Sequence, residues 1–128
     1  KTASAASDIQ TVVESIDSSF DAVYIPTDNL MASNGSLICS ILSAKGIPTV
    51  AGESGMCEDG EAVATLGIDY YKLGVQTGEM AADILNGKAK PQDMAIQAQK
   101  EFEIIVNLES AKKIGLTIPK EILDKAKK

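Results

Sequence analysis

A parallel α/β sheet is the fold this sequence predicts, and three observations predict it. Four short apolar runs, residues 22–25, 48–51, 62–68 and 102–106, are rich in Val, Ile, Tyr and Phe and are bounded by Pro, Gly and polar residues, as buried strands are. The stretches around them carry helical spacing instead, as in Ile9, Val12, Val13 and Ile16. The first strand, a helix and the second strand fit within about thirty residues. Such a βαβ unit makes the two strands parallel, with a right-handed crossover.

Taken in order, Ser7 and Gln10 form a candidate capping box for a first helix that should end near Ser18. The strand at residues 22–25 must stop at Pro26, which has no N–H for a ladder. Thr27, Asp28 and Asn29 follow, and Leu30 opens a second helix expected to run to Lys45, weakened in its middle by Gly35 and closed by Gly46. The strand at 48–51 leads into the turn Gly52-Glu53-Ser54-Gly55, and residues 58–61 read as an exposed acidic turn. After the third strand, Asp69, Tyr70 and Tyr71 lead into a helix to Asn86, ended by Gly87. Gly74, Gly78 and Ala82 recur on it every fourth residue, which predicts close approach to a sheet. Residues 87–100 are linker-like. Beyond the fourth strand, Asn107 is a cap for a short helix stopped by Gly115, and a last helix opens around Pro119.

Composition excludes several functions. The net charge of −6 speaks against nucleic acid and anionic membrane surfaces. With no His, the commonest general base and metal ligand is missing, and no Arg is present to form a bidentate fork on a phosphate or carboxylate. No apolar run approaches the ~20 residues of a membrane span. No cofactor is indicated. Cys39 reads as a small core thiol, and the acidic neighbours of Cys57 disfavour its thiolate. No signal peptide is visible, and the chain opens Lys1-Thr2-Ala3-Ser4 rather than with Met, so its start reads as a cloning or cleavage boundary.

The candidate site is the carboxyl edge of the sheet. Open parallel sheets bind ligands there, where backbone N–H groups, helix starts and short polar side chains meet. Thr27, Asp28 and Asn29 fall at the end of the first strand and Glu53 at the end of the second. Each has a plainer role open to it. Asp28 and Asn29 are also good N-caps, and Glu53 also suits a solvated turn. Three acids at strand ends, Asp28, Glu53 and Asp69, would alternatively hold Mg²⁺ in a receiver or phosphatase-like domain. Against that, the first strand lacks paired adjacent acids, and no Lys follows a strand end suitably.

Three motifs in order, Asp21-Ala-Val-Tyr-Ile-Pro-Thr-Asp-Asn29, Ile47-Pro-Thr-Val-Ala-Gly-Glu53 and Gly67-Ile-Asp-Tyr-Tyr-Lys-Leu-Gly74, resemble the substrate-binding proteins of ABC transporters assigned to tryptophan and tyrosine uptake. The tail Gly115-Leu-Thr-Ile-Pro119 is similar too. The resemblance implies part of the type I periplasmic-binding-protein fold, in which two Rossmann-like lobes, each a parallel sheet with helices on both faces, close on a ligand. It implies no enzyme activity. Residues 1–66 would belong to the second lobe, residues 67–100 to a crossover and a helix packing on the first lobe, and residues 101–128 to the return strand and last helices.

The ligand would be an aromatic or other apolar amino acid, contacted by Thr27, Asp28, Asn29, Glu53, Asp69 and Tyr70. Backbone N–H groups and hydroxyls near Thr27 suit its carboxylate, and Asp28 or Glu53 its ammonium. Further expectations are an extracytoplasmic place, as a periplasmic protein or an anchored lipoprotein, a permease partner, and self-association of a chain lacking its first lobe. A ligand-sensing effector domain of a regulator would share the fold.

Overall fold

The computed structural model describes residues 1–99 and 102–127. Four strands form one sheet in the order β1-β2-β3-β4, with β1 Val23–Ile25, β2 Thr49–Ala51, β3 Ala64–Ile68 and β4 Phe102–Val106. β1 pairs parallel with β2 (Tyr24 opposite Val50), and β2 parallel with β3 (Ala51 opposite Thr65). β4 runs back along β3. The N–H of Asn107, just past β4, donates to the carbonyl of Val63, just before β3, at 2.9 Å. The sheet is therefore mostly parallel, as its βαβ pattern requires.

Among the described residues seven helices accompany it: α1 Ala6–Glu14, α2 Asn29–Ser33, α3 Gly35–Ala44, α4 Gly55–Glu58, α5 Tyr70–Leu85, α6 Leu108–Lys113 and α7 Lys120–Leu123. A 3-10 turn spans Pro91–Asp93 within the linker-like stretch. Among the described residues, no helix is long and apolar enough to cross a membrane.

Several local expectations are corrected. Ala5, not Ser7, is the N-cap of α1, and its N–H donates to the Asp8 carboxylate at 3.2 Å. α1 stops at Glu14, short of Ser18, because Lys45 reaches across from the end of α3 and caps it. Its ammonium donates to the carbonyls of Glu14 (2.6 Å), Ile16 (2.7 Å) and Val13 (3.3 Å). The long helix expected from Leu30 to Lys45 is two helices, broken at Asn34, where φ is −115° and ψ 15°. The Asn34 side chain donates to the Leu30 carbonyl at 2.8 Å and closes α2. Gly35 then starts α3 buried against Met56, whose Cγ lies 3.0 Å from where a Cβ would stand. That glycine serves a close approach that local helix propensity does not show. Gly46 and Gly87 do end their helices with φ of 72° and 71°. The Asn107 side chain accepts the Ser110 N–H at 2.9 Å, the cap its sequence position predicts.

The chain divides into two compact units, Lys1–Gly67 with Glu103–Lys128, and Ile68–Phe102. The first has a continuous core. Ile9, Val13 and Ile16 meet Ile38 and Leu42 of α3, Ile25 and Ala51 of the sheet, and Met56 and Cys57 of α4. α1 and α3 pack on each other over the same sheet face. The second unit is built around α5, a helix of 16 residues, none of which is buried. Gln76 donates to Gln97 at 2.8 Å and ties the segment after the 3-10 turn to α5. Outside the helix itself, nothing among the described residues lies within 4 Å of where a Cβ would stand on Gly74 or Gly78.

Candidate functional site

Four of the six residues singled out from the sequence stand at the carboxyl edge of the first unit's sheet, and the fold sews the loops there together. The Gly52 N–H, just past β2, donates to the Ile25 carbonyl at the end of β1 at 2.8 Å. The Thr27 hydroxyl returns the link, donating to the Gly52 carbonyl at 3.0 Å. A Cβ on Gly52 would lie 2.8 Å from the Thr27 N, so this crossing point needs glycine. The third strand joins from the other side: a Cβ on Gly67 would stand 2.9 Å from the Thr65 Oγ1 and 3.5 Å from the Ser54 N. Gly52 and Gly67 are the site features sequence reasoning missed. Their only signal was a glycine just past, or at the end of, a strand.

The two acids are already in use. Asp28 is the N-cap of α2, and its Oδ1 accepts the Met31 N–H at 3.0 Å. Glu53 folds over the start of α4, accepting the Met56 N–H at 2.9 Å and the Gly55 N–H at 3.3 Å. Cys57 thus sits in a short helix whose last residue is Glu58, the first of the residues 58–61 read as an acidic turn. Capping does not exhaust either carboxylate, because each offers about four lone-pair sites. α2 has only five residues, so its dipole is far weaker than that of the long helix expected there. The N–H groups of Asn29 and Leu30 still have no acceptor within their helix. Thr27, Asp28 and Asn29 are exposed, and Glu53 is half-buried.

Asp69 and Tyr70 belong to the second unit. Asp69 caps α5, accepting the Lys72 N–H at 3.0 Å, with the Lys72 ammonium 3.9 Å away. Tyr70 is exposed.

Burial pushes the Cys39 and Cys57 thiols up from 9.0 to about 11, and the Glu58 charge adds only a little at Cys57. Both thiols are free. Among the described residues, no three Cys, Asp or Glu side chains gather as a metal site. The Thr65 hydroxyl oxygen is buried and meets no hydrogen-bond partner among the described residues.

A mostly parallel sheet whose loops converge in an open polar edge has the arrangement at which α/β folds bind ligands. The comparisons with known proteins give this fold its family. The sequence profile described as "ABC transporter substrate binding protein" matches residues 1–128, and the chain belongs to that family, whose members bind substrates and do not transform them.

The chain is 34% identical over 113 residues to the tyrosine-binding protein of Clostridioides difficile strain R20291, covering 88% of this chain and 32% of that protein. A conserved domain protein from Vibrio cholerae superposes with a TM-score of 0.87 at 30% identity, covering 98% of this chain and 42% of the other. The ABC domain in complex with L-Trp from Streptococcus pneumoniae superposes with a TM-score of 0.85 at 30% identity, covering 97% and 41%. The chain thus spans about a third of the length of the curated relatives it matches, and about two fifths of these solved chains.

Proposed function

We propose that the protein is the extracytoplasmic solute-binding component of an ABC importer and that it captures an aromatic amino acid, tryptophan or tyrosine, between two lobes of the type I periplasmic-binding-protein fold. The observation that carries this reading is the pair of relatives named for those ligands, one tyrosine-binding and one holding L-Trp, each matched over most of this chain. Residues 1–66 supply part of the second lobe, residues 67–100 the crossover and a helix that packs on the first lobe, and residues 101–128 the return strand and the last helices. The full-length protein is periplasmic or held at the membrane by a lipid anchor, and a membrane permease completes the system.

The geometry fits a zwitterion. The N–H groups of Asn29 and Leu30 offer donors to a carboxylate, while Asp28 and Glu53, and the Thr27 hydroxyl whose proton goes to the Gly52 carbonyl, have lone pairs left for an ammonium. Asn29 extends the polar rim. Asp69 and Tyr70, in the second unit, are the remaining candidates for ligand contact, Tyr70 with an aromatic face. The side-chain pocket is completed by the first lobe.

Isothermal calorimetry on the full-length protein tests this reading. L-Trp or L-Tyr should bind with a dissociation constant at or below about 1 μM, about −8 kcal/mol, and L-Asp and L-Lys should not bind. Equal weak heats for all four amino acids would refute it.

A further inference from the structure

Thr65 lies on β3 and is 2% exposed. Val would fill such a strand position with nearly the same shape and no polar atom. The Thr65 hydroxyl is a cost to the core, because its oxygen is buried and meets no hydrogen-bond partner among the described residues. It leans along the strand toward the carboxyl edge. Gly67 is two residues on and faces the same side of the sheet. The point where a Cβ would stand on Gly67 is 2.9 Å from the Thr65 Oγ1.

That same point is 3.5 Å from the Ser54 N and 3.6 Å from the Glu53 carbonyl carbon. The Ser54 N–H also has no acceptor among the described residues. A hydroxyl and an amide, both without a partner, thus flank the space that a side chain at position 67 would fill, and glycine leaves it clear. The turn Gly52-Glu53-Ser54-Gly55 passes beside this space and carries Glu53, whose carboxylate caps α4 through the Met56 N–H at 2.9 Å.

We propose that Thr65 is a positioning residue for the ligand site. One water, seated beside Gly67, accepts the Ser54 N–H and the Thr65 O–H and ties the Glu53 turn to β3. Buried waters join two to four polar groups in this way and are costly to remove. The tie fixes where the Glu53 carboxylate points, and Thr65 itself does not touch the ligand. Its effect on affinity rests on Glu53 facing the ammonium, as proposed above. Its effect on the turn does not.

Hydrogen exchange read by NMR, with calorimetry, on the full-length protein and its Thr65→Val variant tests this. The Met56 amide should exchange at least about 10-fold faster in the variant, while the Leu42 amide in the core keeps its rate. L-Trp binding should weaken at least about 5-fold in Thr65→Val and stay within about 2-fold of the parent in Thr65→Ser, which keeps the hydroxyl. Once Glu53→Gln is in place, Thr65→Val should lose most of its effect on affinity. In a crystal structure of the parent, a water should lie within about 3.2 Å of both the Thr65 Oγ1 and the Ser54 N, however the variants fold. No water there would overturn the proposal. So would an equal loss of affinity with and without the Glu53 charge, or Met56 and Leu42 amides that speed up together. A Met56 amide that responds in a protein that does not bind L-Trp would keep the tie and remove the ligand reading. L-Trp binding with an unresponsive Met56 amide would do the reverse.

Discussion

The two units of this chain treat apolar side chains in opposite ways. In the first, Leu42 and Ala51 are 0% exposed and Ile9 1%. In the second, α5 carries Leu73, Val75, Met80, Ile84 and Leu85, and none is buried. Helices in proteins draw most of their stability from packing one face, not from propensity. The first unit therefore has its own reason to fold, while α5 depends on cover that residues 68–102 do not themselves supply.

The largest effect that sharpens this contrast is cavity formation. Leu42→Ala should lower stability by about 2–5 kcal/mol, whereas Leu85→Ala, at a position 86% exposed, should change it by no more than about 0.5 kcal/mol. Urea denaturation of the two variants checks it. Equal losses would mean that α5 is covered after all.

The buried thiols of the first unit give a pH test. In the unfolded chain each thiol ionises near 9.0, and in the folded unit near 11. The folded state therefore keeps a proton that the unfolded state gives up. The thiols' contribution to stability is flat below pH 9 and falls as pH rises toward about 11, by up to about 3 kcal/mol per thiol. Denaturation midpoints measured from pH 8 to 11 should fall, and a variant carrying Cys39→Ala and Cys57→Ala should lose that part of the slope.

A smaller effect belongs to Lys45. Its three carbonyl contacts close α1, so Lys45→Ala should cost about 1–2 kcal/mol. Lys72, exposed beside Asp69 on α5, should cost a few tenths when changed to Ala, as exposed pairs do. Thermal melts of both variants would rank them.

How much of this was legible in the sequence follows from the range of the interactions involved. Pro26, Gly46 and Asn107 act on their own neighbours, and each marks its boundary where the structure has it. The break at Asn34 was not legible, because Gly35 answers to Met56, 21 positions on. The stop of α1 at Glu14 was hidden for the same reason, since its cap is Lys45. At the site, Thr27 and Glu53 were found from their places after strands. That Asp28 and Glu53 each cap a helix was a choice between two local roles, and sequence alone left it open. The meeting of Thr27 with Gly52 was invisible, being a contact between two loops 25 residues apart.

The most direct test of the central claim, that the carboxyl edge of the first unit holds the amino group of an amino acid, is calorimetry on two charge-removing variants of the full-length protein. Asp28→Asn and Glu53→Gln keep an acceptor for the helix caps and remove the charge that an ammonium needs. At least one of them should weaken L-Trp or L-Tyr binding by about 1–3 kcal/mol, or roughly 5- to 150-fold, with the melting temperature close to that of the parent. Unchanged affinity in both would contradict the claim and place the ammonium elsewhere.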